Sequence, residues 1–349
     1  MGDVSKLGRV KIFLKDPDRK GFLQILKEVV VLTVTKKEIP FYYFKFVYKK
    51  KVNNYLDYTG LNEQKIISSS KTLHKPEHFS LINNKLFFSL FCENINLRSP
   101  KLISYNFGSV FFFDGTPQQI QTKEELINFF ETVFTTTNSD ALFLRPPANQ
   151  GGRGCFKLTK SQLYEKVEER FETLMKDSYV HTEVVEQHEA ISKIHGSSIN
   201  TLRIISLITA DKTTEIIVAL LRFGVGTSVV DNASSGGFFV GVNMEDGTLK
   251  ASGDYFQEHG GKEVFEHPDS GVKFKDFKVP FFKESCELVK EGVKVIPDRF
   301  IGWDVAITPT GPTIIEANSI VHIPCANMGL GGLLKNEHIR DMFKELKNN

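Results

Sequence analysis

The sequence predicts a mixed α+β protein, and three observations carry that reading. Helical and strand-like segments alternate between residues 77 and 183, and strand-like segments dominate from 200 to 317. A chain of 349 residues, 41% hydrophobic and 25% charged, has enough apolar material to fold into two or three packed units at roughly 150 residues per unit.

The first stretch, residues 1–80, is rich in lysine and aromatics. Phe41, Tyr42, Tyr43, Phe44, Phe46 and Tyr48 surround Lys45 and run into Lys49, Lys50 and Lys51. This pattern predicts an amphipathic helix whose aromatic face packs on the body of the protein. A strand and a membrane-surface segment are the competing readings.

From Glu77 to Glu93, Phe79, Leu81, Ile82, Leu86, Phe87, Leu90 and Phe91 recur at helical spacing and predict one helix. Strands follow at 102–105 and 110–113, a helix at 123–134, strands at 141–145 and 155–158, a helix at 161–175 and a strand at 179–183. The β-rich part holds strands at 200–209, 214–223, 238–243, 300–307 and 313–317, with helices near 281–295 and 337–347.

Lysine and arginine total 44 against 42 acids, so no overall field draws the chain to nucleic acid. Cys92, Cys155, Cys286 and Cys325 include no C-x-x-C pair, which implies neither a disulfide framework nor a zinc site and fits a reducing, cytoplasmic setting. No early apolar run is long enough for a signal or transmembrane segment. Lys6 stands where a myristoylation signal at Gly2 needs Ser or Thr.

Three segments are able to do chemistry. Gly302 to Ile307 and Ile314 to Asn318 read as a hairpin joined by a Thr-Pro-Thr-Gly turn, and alternation aims Asp304, Glu316 and Asn318 at one face. Two carboxylates and an amide are a hard-oxygen set suited to magnesium, and equally suit the surface of an ordinary hairpin. Arg145 to Gly154 places Gln150, Gly151, Gly152, Arg153 and Gly154 between two strands, where backbone N–H groups can approach phosphate or simply turn the chain. It is not a Walker A loop. Arg203 and Arg222 sit on apolar strands and need an anionic partner, either a ligand or a structural carboxylate. Asp231 to Gly237 is a polar turn close behind.

In this order the segments resemble the ATP-grasp superfamily, and within it the sugar-transfer associated group, from about Asn84 to Asn318. The strongest stretches are Asn200-Thr201-Leu202-Arg203, Leu221-Arg222-Phe223-Gly224, Asp231-Asn232 with Gly236-Gly237, His267-Pro268-Asp269-Ser270-Gly271, and the hairpin from Gly302 to Asn318. The resemblance implies two α+β lobes gripping ATP, here at 81–190 with a glycine-rich lid and 191–349 with a magnesium site, after an N-terminal helical extension at 1–80.

It implies that Lys85 contacts phosphate, that Gln150 to Gly154 form the lid, and that Glu183, Val184 and Val185 hold the adenine with Glu186 or Gln187 near the ribose. Asn232 is carried over as a nucleotide contact. Asp304, Glu316 and Asn318 would hold Mg2+, and Arg203 and Arg222 would stabilise the transferring phosphoryl group. Arg145-Pro146 departs from the usual Lys-Pro, replacing a point charge with a planar fork. The implied activity is carboxylate–amine ligation through an acyl phosphate on small, possibly sugar-linked substrates; a small-molecule kinase or an inactive nucleotide-binding protein would share the site. His259 and the loop from His267 to Gly271 are the expected acceptor side.

Overall fold

A computed structural model describes residues 6–149, 151–296 and 298–348. The N-terminal region forms α1 (Lys6–Lys15), α2 (Phe22–Lys36) and α3 (Leu61–Ser69). The aromatic run between them is not the predicted helix. Phe41–Phe44 is a single 3-10 turn leading into further turns. The reason lies in burial: Phe46, Val47, Tyr48 and Lys49 are all buried, whereas a surface helix rotates about 100° per residue and would expose some of them. Beneath this run, Glu28 of α2 pairs with Lys20 at 2.7 Å and accepts the Tyr43 hydroxyl at 2.7 Å.

The single helix expected at 77–93 is two, α4 (Pro76–Asn83) and α5 (Lys85–Asn94). Asn84 divides them. It is extended, and its Oδ1 accepts from Leu86 N at 3.0 Å and Phe87 N at 3.3 Å, the N-cap role for which asparagine is favoured. Lys85 thereby becomes the first residue of α5.

The smaller sheet comprises β1 (Leu102–Phe107), β2 (Val110–Phe113), β3 (Thr116–Gln119), β4 (Ala141–Arg145), β5 (Phe156–Thr159) and β6 (Tyr179–Glu183), antiparallel in the order β3-β2-β1-β6-β4-β5. Helices α6 (Lys123–Thr137) and α7 (Leu163–Lys176) cover one face, burying Phe130, Val133 and Val167 against Leu142 and Leu158. A reciprocal capping box of Thr122 and Glu125 starts α6, and Asn138 in the left-handed region ends it.

After the one-turn helix α8 (Glu189–Ser192) comes the larger antiparallel sheet. Its strands are β7 (Thr201–Ile208), β8 (Thr214–Phe223), β9 (Phe238–Val242), β10 (Leu249–Asp254), β11 (Glu263–Val264), β12 (Phe300–Thr308) and β13 (Gly311–Asn318), ordered β11-β10-β9-β8-β7-β12-β13. Leu202 and Ile204 face one core with Trp303, α4, α5 and α9 (Phe282–Val295). Ile205 and Leu207 face the other with α10 (Ile323–Leu330) and α11 (Glu337–Asn348). Strand alternation therefore puts Arg203 on the α10 face, beside Leu220 of β8. No helix among the described residues is long and apolar enough to cross a membrane.

Candidate functional site

A cleft of about 1570 Å³ is lined by residues of both sheets. Its floor is built by strand register. Arg203 of β7 lies opposite Asp304 of β12, and Asp304 lies opposite Glu316 of β13. Asp304 is only 3% exposed. Both of its oxygens are taken: Arg203 donates through Nε to Oδ1 and through a terminal nitrogen at 3.1 Å to Oδ2, and Arg222 approaches Oδ2 at 3.0 Å. Burial works against the Asp304 carboxylate, but the charges of Arg203 and Arg222 outweigh it and hold the group well below the usual carboxylate range.

Asp231 completes this network. Its Oδ2 lies 3.3 Å from Arg222 Nε and accepts from Thr201 N at 2.7 Å and Thr201 Oγ1 at 2.6 Å. Burial opposes the Arg222 cation, yet Asp231 and Asp304 raise its proton affinity above the ordinary arginine value.

On β13 the register shifts beside Asp304, leaving Ile315 as an extra residue. Its carbonyl accepts from Arg145 at 3.3 Å. The shift keeps Glu316 opposite Asp304, with Asn318 two residues on, so all three expected metal ligands line the cleft. Glu316 pairs with Lys85 Nζ at 3.2 Å, and Lys85 also donates to Asn149 O at 3.0 Å. Asn318 donates to Gly302 O at 3.5 Å, and its amide oxygen makes no hydrogen bond among the described residues.

This donor set suits a hard divalent cation in kind. The carboxylates are already matched to internal cations. A metal would need to replace Arg203, Arg222 and Lys85, releasing them for phosphate.

Arg145 ends β4 and is 5% exposed. Its Nε has no hydrogen-bond partner among the described residues, and burial lowers its proton affinity despite nearby Glu316. A buried guanidinium with an unspent donor is costly unless an anion satisfies it. The fork that departs from the usual lysine thus reaches both the β13 bulge and the cleft.

In the loop that follows, Gly151 and Gly152 have φ of +70°. A Cβ on Gly152 would lie 2.2 Å from Val230 Cγ1, so the loop is seated against the turn before Asp231. Arg153 lines the cleft. Gly154 does not; its Cα side faces Pro146, and its part is to turn the chain. Gln150 lies outside the described residues. Asn232 spends its side-chain oxygen on Ser234 N at 3.0 Å and Oγ at 2.8 Å, capping the turn Ala233–Ser235 and leaving its amide nitrogen.

Along the wall run Glu183, Val184, Val185 and Glu186. Glu183 accepts from Lys101 N at 3.0 Å. No main-chain N–H or C=O of Val184, Val185 or Glu186 is paired among the described residues. Gln187, the alternative to Glu186, is consumed by Asn200 N at 2.6 Å and His195 O at 2.9 Å.

The expected acceptor loop lies elsewhere. His267 is fully buried among Phe223, Phe238 and Phe274, and its Nε2 bonds Gly224 O at 3.0 Å, which makes it a brace for the strand end. His259 lines a smaller adjoining chamber of about 230 Å³.

Among the cleft residues, Lys157, His322 and Cys325 escaped the sequence reading, and Asp231 was read only as part of a polar turn, not as a partner of Arg222. Lys157 is two positions after Cys155, so strand alternation carried its signal. Asp231 was signalled by Arg222, an inward arginine in need of a carboxylate. His322 and Cys325 depend on α10, which has Pro324 in its first turn but too short a pattern to predict. Burial pushes the Cys325 thiol up to about 12, and burial with the Arg203 charge pulls His322 down to about 4.

The model of the family described as sugar-transfer associated ATP-grasp matches residues 67–340. No curated protein matches the chain. Among solved structures, D-alanyl-alanine synthetase A from Vibrio cholerae is 12% identical, with 78% of this chain and 66% of that one covered at a TM-score of 0.45. ATP-grasp ligase PsnB, complexed with minimal precursor, Mg and ADP, is 12% identical over 79% and 61% at 0.42. N5-carboxyaminoimidazole ribonucleotide synthetase from Thermotoga maritima is 10% identical over 77% and 50% at 0.41. The chain spans two thirds or less of the length of these structures, and at such scores the family match is the ground on which the fold rests.

Proposed function

Because the chain belongs to the sugar-transfer associated ATP-grasp family, we propose that it is an ATP- and magnesium-dependent ligase that joins a carboxylate to an amine through an acyl phosphate. The observation that carries this reading is a cleft whose cations outnumber their carboxylates: Arg203, Arg222 and Lys85 are matched by Asp304, Asp231 and Glu316, while Arg145 has an unspent Nε. Such an arrangement accepts added anionic charge. The free cysteines accord with a cytoplasmic setting.

In this reading the unpaired main chain of Val184 to Glu186 receives the adenine edge, with Glu186 toward the ribose. Lys85, Arg145, Arg153 and the N–H groups of the glycine loop hold the phosphates, and the Asn232 amide nitrogen closes the opposite side. Asp304, Glu316 and Asn318 would hold magnesium, which when bound neutralises phosphate charge. The carboxylate oxygen attacks the γ-phosphorus as the bond to ADP breaks. The amine nitrogen then adds to the acyl carbon, loses a proton and expels phosphate. Arg203 and Arg222 stabilise the transferring phosphoryl group and the oxyanion, contributing through position and charge. An amino acid or sugar acid on a glycan precursor is the proposed substrate class, supported by the family description alone.

The test is ADP and phosphate release from ATP, magnesium and paired pools of carboxylates and amines. Release that needs both pools and vanishes in Asp304→Asn supports ligation. ADP without free phosphate would instead indicate transfer to a hydroxyl, and no ADP would indicate binding alone.

A further inference from the structure

Helix α2 is apolar on two opposite faces, and only one has a partner. Ile25 and Leu32 are buried against the aromatic turns. Phe22, Leu23, Leu26, Val30 and Val34 point outward, Leu23 being 85% and Val34 73% exposed. At 100° per residue these five form one continuous stripe spanning about a third of the helix circumference. A stripe of this kind is what marks an interaction surface; single exposed apolar side chains do not.

The charges around it are predominantly cationic. Lys27 and Lys37 flank the stripe, and Lys11 and Lys15 lie on α1 beside exposed Val10 and Leu14; none of the four has an ion-pair partner among the described residues. Arg19 stacks on Phe22 at 4.2 Å. Helix α1 contains no acid, and Glu28, the only acid of α2, is buried against Lys20. In the flanking turns Asp16 is bonded to Tyr48, and Glu38 accepts from Leu61 N and Asn62 N, which leaves Asp18 exposed.

We propose that the outward face of α2 docks on an anionic lipid bilayer. An apolar stripe with cationic margins fits headgroup phosphates around an acyl boundary. A second copy fits poorly, because face-to-face contact would set the same lysines against one another with little acid to pair them. At 15 residues, α2 is short of the roughly 20 needed to span a bilayer, so it lies in the surface plane. In the aromatic run at 41–48, for which a membrane surface is a competing reading of the sequence, Tyr42, Tyr43, Phe46 and Tyr48 are buried; the proposed membrane face lies on its neighbour α2.

The experiment is co-sedimentation of the full chain with vesicles of phosphatidylcholine alone and of mixed phosphatidylcholine and phosphatidylglycerol. Binding to the mixed vesicles should exceed binding to the neutral ones by about tenfold and weaken in high salt. Leu23→Glu with Val34→Glu, at positions open to solvent, should abolish it while melting temperature stays unchanged. Lys15→Glu with Lys27→Glu should remove the dependence on phosphatidylglycerol. Absence of vesicle binding overturns the proposal. So does a dimer in sedimentation velocity that the Leu23→Glu, Val34→Glu variant dissociates, since that assigns the face to a second copy.

Discussion

Replacing Asp304 with asparagine removes one charge from a network in which two arginines meet it. The shape is kept, and Arg203 and Arg222, with side chains 12% and 11% exposed, lose their shared counter-ion. Breaking one partner of a buried ion pair costs about 3–5 kcal/mol. Arg222 retains Asp231 at 3.3 Å, so the lower end, about 3 kcal/mol, is expected. At about 2.1 cal/mol/K per residue, a 349-residue chain that unfolds as one unit loses roughly 4 °C of melting temperature for about 3 kcal/mol. ATP without magnesium should then stabilise the variant more than the parent, because phosphate supplies the charge that asparagine lacks.

The sign with pH follows from the depressed Asp304 carboxyl. Its contribution is complete above the ordinary carboxylate range, near pH 4, and is lost only as pH falls below that toward the folded value. The gap between parent and variant in a thermal melt should be constant from neutrality to about pH 5 and close in stronger acid. A variant that melts with the parent, or a deficit that nucleotide does not narrow, would refute the reasoning.

Other expectations concern the walls. Lys85→Met should raise the KM for ATP by about tenfold or more, the weight of one charge-assisted contact, with little change in melting. Gly152→Ala, at φ +70° and against Val230, should separate the two loops and weaken nucleotide binding measured by calorimetry, while the far-ultraviolet circular dichroism stays the same. His181 is buried with Nδ1 against Ser104 Oγ and Nε2 against Asn106 Oδ1, and burial pulls it down to about 3; its proton resonances should not titrate between pH 7 and about pH 5, and a midpoint near 6.5 would contradict that packing.

What the sequence made legible was local and periodic. The strands at 110–113, 141–145, 179–183 and 214–223 run as the pattern predicts, since each alternates or stays apolar between polar breaks. The hairpin that carries Asp304 and Glu316 was legible for the same reason. Hidden were features set by contacts distant in sequence. Asn84 interrupts helical periodicity through a cap visible only once its side chain turns back. The aromatic turns fold inward because α2 lies over them. The bond from Arg145 to the Ile315 carbonyl spans the two sheets. That Asp304 would be held by two arginines required knowing that β7, β8 and β12 are placed side by side.

The central claim is that Asp304 exchanges its arginine partners for magnesium when nucleotide enters. Titration calorimetry of ATP, with and without magnesium, against the parent and Asp304→Asn tests it most directly. The account predicts that magnesium tightens ATP binding to the parent and not to the variant, which still binds ATP alone. Equal magnesium dependence in both proteins, or no ATP binding by the parent, would contradict it.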